Sequence, residues 1–269
     1  MPTITCSSAS PDHRPPLWVT TSWDDGYPLD DRLAGLLHRY GIAGTFYVPI
    51  RSQLPVMEPR QMRHLAQAFE IGGHTVNHVR LDSVPAAQAR EEIVGSKQLL
   101  EDITGVPCTM FCPPGGRFGQ LHLDAMKEAG YSGVRTVELM SVGLPQASGG
   151  LMVMPTTLQL FPHGPSTYFK NALKRKRWQN VTTYLQYGRS SELPKVVESL
   201  LNSLLHKGGV FHLWGHSWEI EHSRLWGTLE VIMKQLSAHR DRCRFVSNGA
   251  LCQLHAGVRV VQEETLATR

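Results

Sequence analysis

Cysteine is scarce in this sequence, and the five present (Cys6, Cys108, Cys112, Cys243 and Cys252) are odd in number and form no CxxC pair. A disulfide-stapled scaffold and a cysteine zinc knuckle are both excluded, because each needs cysteines in matched sets at short spacing. Long hydrophobic runs are missing too. No window approaches the roughly 20 apolar residues of a membrane-spanning helix. Residues 1–14 also lack the positive-then-apolar order of a secretory signal. These absences predict reduced thiols, a cytoplasmic setting and no membrane span. There is little excess charge of either sign: 27 basic against 23 acidic residues leave a net +4. So mild a balance gives no reason to expect nucleic acid as a partner. The one dense basic cluster is Lys170, Lys174, Arg175, Lys176 and Arg177. It reads as a solvated helix face, with contact to a phosphate or anionic glycan as the rival. Internal repeats and low-complexity linkers are absent as well, which points to a single domain.

What is present is a chain able to bury a core. Of its 269 residues, 41% are hydrophobic and 8% aromatic, a composition of folded domains. Short apolar runs such as Leu17 to Ser22, Gly44 to Val48 and Val210 to Trp214 read as strands. Between them lie helical patterns, the longest from Pro85 to Thr104, and the spacing gives about eight strands and seven helices. Strict alternation implies parallel strands joined by helical crossovers, and the length suits one closed α/β barrel. The segment Phe161 to Arg189 reads as irregular with a basic helix in its middle. We expect a leader over 1–16, one catalytic domain over 17–254, and a tail over 255–269.

Three stretches carry chemistry. Trp23-Asp24-Asp25-Gly26 ends the first apolar strand with two carboxylates, which are costly there unless they bind something or react. In extended backbone, neighbours point to opposite sides, so Asp24 and Asp25 should have separate roles: one on a metal ion, the other free as a base. In His74-Thr75-Val76-Asn77-His78, two imidazoles at i and i+4 can face one ion from a single helical turn. With one carboxylate they make a set that leaves positions open for water and substrate. His216 ends a later strand between Trp214 and Trp218. A protonated imidazole there suits general-acid work, and the indoles suit a sugar ring.

In this order the motifs resemble those of the polysaccharide deacetylase family, also called the NodB homology domain or carbohydrate esterase family 4. Thr21 to Gly26 resembles its first motif, His74 to His78 its second, Phe111 to Gly116 its third, and His212 to His216 its last. The resemblance implies a distorted (β/α) barrel of about seven parallel strands. It implies Asp24 as base, Asp25, His74 and His78 as ligands of a divalent metal (usually Zn2+), and His216 as acid. Trp218, Trp214, Pro114 and Gly115 would meet the substrate. The sequence departs from the family twice. Cys112 stands where the third motif has an arginine that orients the catalytic Asp, and the fourth motif's Asp and Trp have no counterpart near Val137 to Leu144. Arg135 is expected to supply the missing guanidinium to Asp24 from the next strand, and Glu219 is a candidate to orient His216. The implied activity is removal of an N-acetyl group from an amino sugar or glycoconjugate, nucleotide- or lipid-linked if cytoplasmic. Hydrolysis of a non-sugar amide and an inactive glycan-binding scaffold are the alternatives.

Overall fold

Alternation along the first strand, β1 (Leu17–Asp24), divides the molecule into an inside and an outside. Val19 and Trp23 are wholly buried against the surrounding helices. Thr20, Ser22 and Asp24 face the other way, towards the barrel axis, as a period of two requires. The computed structural model describes residues 15–267, so the expected leader falls almost entirely outside the described residues.

From β1 the chain runs through α1 (Asp30–Tyr40), β2 (Thr45–Val48), α2 (Pro59–Leu65), β3 (Glu70–Gly73) and α3 (Ala86–Thr104). It continues through β4 (Met110–Phe111), α4 (Gln120–Glu128), β5 (Gly133–Arg135), β6 (Gln146–Ser148), β7 (Leu151–Met154) and β8 (Leu158–Gln159). Helices α5 (Pro165–Arg175), α6 (Trp178–Tyr187) and α7 (Leu193–Lys207) precede β9 (Gly209–His216). Then come α8 (Ser217–His222), α9 (Trp226–Ser237), β10 (Cys243–Phe245) and α10 (Asn248–Ala267).

The sheet order is β6-β7-β5-β4-β3-β2-β1-β9-β8, with β10 also on β1. Every pairing in it is parallel except the β6–β7 hairpin. Leaving the short β6 hairpin aside, the parallel run of this curled sheet ends at β7, which pairs with β5, and at β8, which pairs with β9. Only Pro155 to Thr157 separate them in the chain. One interrupted strand thus joins both edges, giving seven strand positions in a distorted barrel. Proline supplies no amide hydrogen, which suits the interruption at Pro155.

Two apolar clusters fill the fold. The larger lies between strands and helices, and includes Leu33, Leu37, Phe46, Ile93, Leu100, Leu200 and Phe211. The smaller lies inside the barrel, where Tyr47, Met110, Cys112, Met154 and Val210 meet Leu251 and Cys252 of α10. The boundary expected at residue 254 therefore falls within a helix whose first turns plug the barrel floor. Asn248 accepts from Thr20 Oγ1 (2.8 Å), donates to the Tyr47 hydroxyl (2.9 Å), and donates its backbone N–H to Thr45 Oγ1 (2.9 Å). Glu70 takes the Gly249 N–H at 3.0 Å, a carboxylate at a helix N-terminus. The stretch expected to be irregular instead forms α5 and α6, separated by Lys176 in the left-handed region (φ 55°).

Candidate active site and metal centre

The side chains of interest sit at the C-terminal ends of β1, β3, β5 and β9, the end where barrels of this kind carry their sites. Register fixes their level: Asp24 lies opposite Tyr47 on β2 and opposite His216 on β9. Immediately beyond, Asp25 adopts φ 79°, a left-handed conformation rare for a residue with a side chain. The turn parts the two carboxylates. Asp24 stays in the barrel mouth, and Asp25 swings towards the histidines.

His74 and His78 do not lie on a helical turn, contrary to the sequence expectation. They occupy a loop after β3 in which Thr75 (φ 65°) and His78 (φ 53°) are both left-handed. Glu92 on α3 holds that loop. It accepts the Val76 and Asn77 backbone N–H groups at 2.8 Å each and the Asn77 side-chain amide at 2.7 Å. Sequence reading passed over Glu92, which sits on the buried face of an ordinary helix; an acidic residue among apolar positions there was the available signal.

His74 Nδ1 donates to the Cys112 carbonyl at 2.5 Å, which leaves Nε2 as a lone-pair donor. That nitrogen lies 3.4 Å from Asp25 Oδ1, and His78 Nε2 lies 3.0 Å from the same oxygen. The ligand atoms of the three residues all fall within 4.8 Å of one another. Two imidazole nitrogens turned onto one carboxylate oxygen fit a shared divalent cation, and the donor set suits zinc. Burial alone would raise the Asp25 carboxyl, but the two imidazoles beside it, His74 and His78, outweigh burial and hold the group well below the usual carboxylate range. Trp218, expected against substrate, donates its indole N–H to Asp25 Oδ2 at 2.8 Å and so fixes the carboxylate's orientation.

Arg135 is fully buried, and its Nη2 donates to Asp24 Oδ1. The register explains how it gets there. Phe111 pairs with Val134, so one step on, Arg135 stands beside Cys112. The small thiol leaves the space that the guanidinium fills from one strand over. The guanidinium lies between two rings, 5.1 Å from the centre of Tyr47 and 4.8 Å from that of Trp214. Trp214 thus requires a correction. It is only 6% exposed and packs on Arg135, because it shares the inward face of β9 with His212 and His216 and cannot offer a platform for a sugar. Pro114 is buried and Gly115 exposed, in a turn where Gly115 and Gly116 both have positive φ.

His216 is partly exposed at the mouth, with its Nδ1 3.1 Å from Glu219 Oε2. Gln159 donates to the same oxygen (3.0 Å), and its own oxygen lies 2.8 Å from His163 Nε2. Burial works against the imidazolium, but the Glu219 hydrogen bond and the charges of Asp24 and Asp25 raise the His216 pKa above its ordinary value. Below it, His212 is buried and flanked by Ser22 and the Pro155 carbonyl, each at 2.9 Å. Burial and the Arg135 charge hold it down at about 3.

Residues 12–134 match the profile of the polysaccharide deacetylase family. The match ends one residue before Arg135 and includes Cys112. Over 123 residues the chain is 29% identical to the Bacillus subtilis protein YxkH, named for the polysaccharide deacetylases, covering 44% of each chain. It is 29% identical over 119 residues to a peptidoglycan-N-acetylglucosamine deacetylase of Bacillus cereus, covering 43% of this chain and 54% of that one. The aligned stretch therefore spans about half the length of these relatives. A Mycobacterium smegmatis crystal structure, described by the same family name, matches with a TM-score of 0.67 at 16% identity, over 93% of this chain and 94% of that one. The polysaccharide deacetylase fold thus extends over nearly all of the chain, well beyond the region matched in sequence. Among the described residues, no helix is long and apolar enough to cross a membrane.

Proposed function

We propose that this chain is a metal-dependent hydrolase that removes an N-acetyl group from an amino sugar or glycoconjugate. Asp25, His74 and His78 would hold the ion, with Zn2+ the best fit to two imidazoles and one carboxylate. When bound, such an ion polarises an amide carbonyl and lowers the pKa of water. Asp24, aimed by Arg135, takes a proton from the attacking water. His216, whose imidazolium form Glu219 favours, gives its proton to the departing nitrogen as the carbon–nitrogen bond breaks. Water's oxygen ends on the acetyl carbon, so the products are acetate and a free amine. Trp218 fixes Asp25 through its indole N–H, and we assign Pro114 and Gly115 to the substrate side of the site.

The observation that carries this reading is the division of labour between adjacent carboxylates: Asp24 on a guanidinium, Asp25 on two imidazoles, with His216 paired in register with Asp24. The test is acetate release from a panel of N-acetylated sugars and conjugates, run with added zinc, with chelator, and with Asp24→Asn. Release that needs metal and is lost in Asp24→Asn supports the reading. A protein that copurifies without metal and releases no acetate overturns it in favour of a binding scaffold.

A further inference from the structure

The basic segment singled out in the sequence divides when it folds. Lys170 and Lys176 are exposed, whereas Lys174, Arg175 and Arg177 line one wall of a pocket of about 660 Å3. The pocket lies between α5–α6 and the β6–β7 hairpin. Its lining contains none of Asp25, His74, His78 or His216, so it is separate from the metal centre. The two are nonetheless neighbours. Thr136, on its wall, follows Arg135, and Arg175 donates to the Gly116 carbonyl at 3.1 Å, on the turn beside the site.

Charge in this pocket is out of balance. Glu138 is the one acid among its lining residues, and it lies 3.6 Å from Arg177. Lys174 and Arg175 have no acidic partner there, which leaves an excess of two positive charges. Arg175 Nε is buried with no hydrogen-bond partner, an unmet donor of the kind that a bound acceptor satisfies. Across the same rim, Arg80 and Arg117 share a single acid, Asp82, each at 3.0 Å. Lys174 is exposed, yet slight desolvation and the nearby Arg117, Arg175 and Arg80 together hold its ammonium below its usual pKa. Cations crowded at one edge repel one another, and a bound anion relieves the repulsion. The rest of the wall, including Gln179, Asn180 and Thr183, offers neutral polar groups suited to a polar ligand.

We propose that this pocket is a phosphoryl-binding subsite, which seats the phosphate or diphosphate carried by the acetamido-sugar substrate. An excess of two positive charges matches a phosphate dianion, and guanidinium groups match its oxygens in pairs. This assignment rests on the deacetylase reading for the nature of the substrate, but not for the binding of the anion.

The test separates the two. Calorimetry on the full chain measures inorganic pyrophosphate binding to the wild type and to Lys174→Glu/Arg177→Gln, two exposed positions whose replacement should leave the melting temperature unchanged. Turnover is compared between a nucleoside diphosphate-linked N-acetylglucosamine and its neutral methyl glycoside. We expect pyrophosphate affinity, and the kcat/KM ratio of linked over neutral substrate, each to fall by about tenfold or more in the variant, chiefly through KM. Absence of pyrophosphate binding, or equal affinity in both proteins (an anion held only at the metal centre), overturns the proposal. Lost affinity with an unchanged ratio overturns the substrate assignment. If neither substrate yields acetate while pyrophosphate binding responds to the substitutions, the deacetylase reading falls and the phosphoryl site stands.

Discussion

Arg135 and Asp24 lie 111 residues apart in the sequence and form an ion pair inside the barrel, with side-chain exposures of 0% and 4%. Removing one member of a buried pair strands the other charge, which costs about 3–5 kcal/mol. Arg135→Ala should therefore be strongly destabilised in urea denaturation. Arg135→Lys keeps the charge but loses the fork and the stacking between Tyr47 and Trp214. We expect a well-folded protein with kcat reduced by about one to two orders of magnitude. Full activity in Arg135→Lys would remove Arg135 from any part in orienting Asp24.

The pH profile reports on His216. Its pKa is raised chiefly by Glu219, and the general acid must be protonated to work, so activity should fall as pH rises through that raised value. Glu219→Gln removes the carboxylate that sustains the imidazolium. The alkaline limb of kcat should then move to lower pH, while the acidic limb stays in place. An unmoved alkaline limb would show that Glu219 shapes only the loop.

Glu92 touches no reacting group, yet it accepts three hydrogen bonds from the loop between His74 and His78. Glu92→Ala should weaken zinc retention by about 10–100-fold, the usual penalty for losing an outer partner of metal ligands. Competition with a chromophoric chelator measures it. Glu92→Gln, which keeps acceptor capacity at one oxygen, should be milder; equal zinc affinity in all three proteins would count against this role.

Acid stability should depend on His212. Its folded pKa is about 3 against an ordinary value near 6.5, so the unfolded chain binds the proton first. Stability is then full above about pH 6.5 and declines as pH falls towards 3, by about 5 kcal/mol once both values are passed. His212→Gln should flatten this part of the stability–pH curve in denaturant titrations. An unchanged slope would mean that another group governs it.

Much of the arrangement could be read from residues alone, because the barrel strands carry strong apolar runs and the site residues sit at their ends. The pairing of Asp24 with Arg135 was legible from an absence: with cysteine at position 112, the adjacent strand is the nearest source of a guanidinium. Less could be read where tertiary contacts decide. Gln146, Ala147 and Ser148 are small or polar and all exposed, so nothing local marks them as a strand; they pair because the chain turns back along β7. The spacing of His74 and His78 fits a helix, but Glu92 supplies a loop's amide groups with an acceptor that no helix would need. Trp214 looked like a sugar platform because its neighbours are site residues, and only the register puts its ring over Arg135. Gln159 and His163 give no signal at all, since their link to Glu219 exists only once the barrel has curled.

The floor of the barrel has a bearing on how the protein is made. Thr20, Thr45 and Tyr47, among the first strands to leave the ribosome, find their partner in Asn248. Until that residue and Leu251 emerge, the inner face of β1 and β2 has polar groups and an aromatic ring but nothing to meet them. The early strands must wait, incompletely packed, through the synthesis of some 200 further residues, a period in which partly folded chains are open to aggregation. Final consolidation is thus postponed to the end of the domain's synthesis, and the cell's holding factors should matter more for this chain than its modest size suggests.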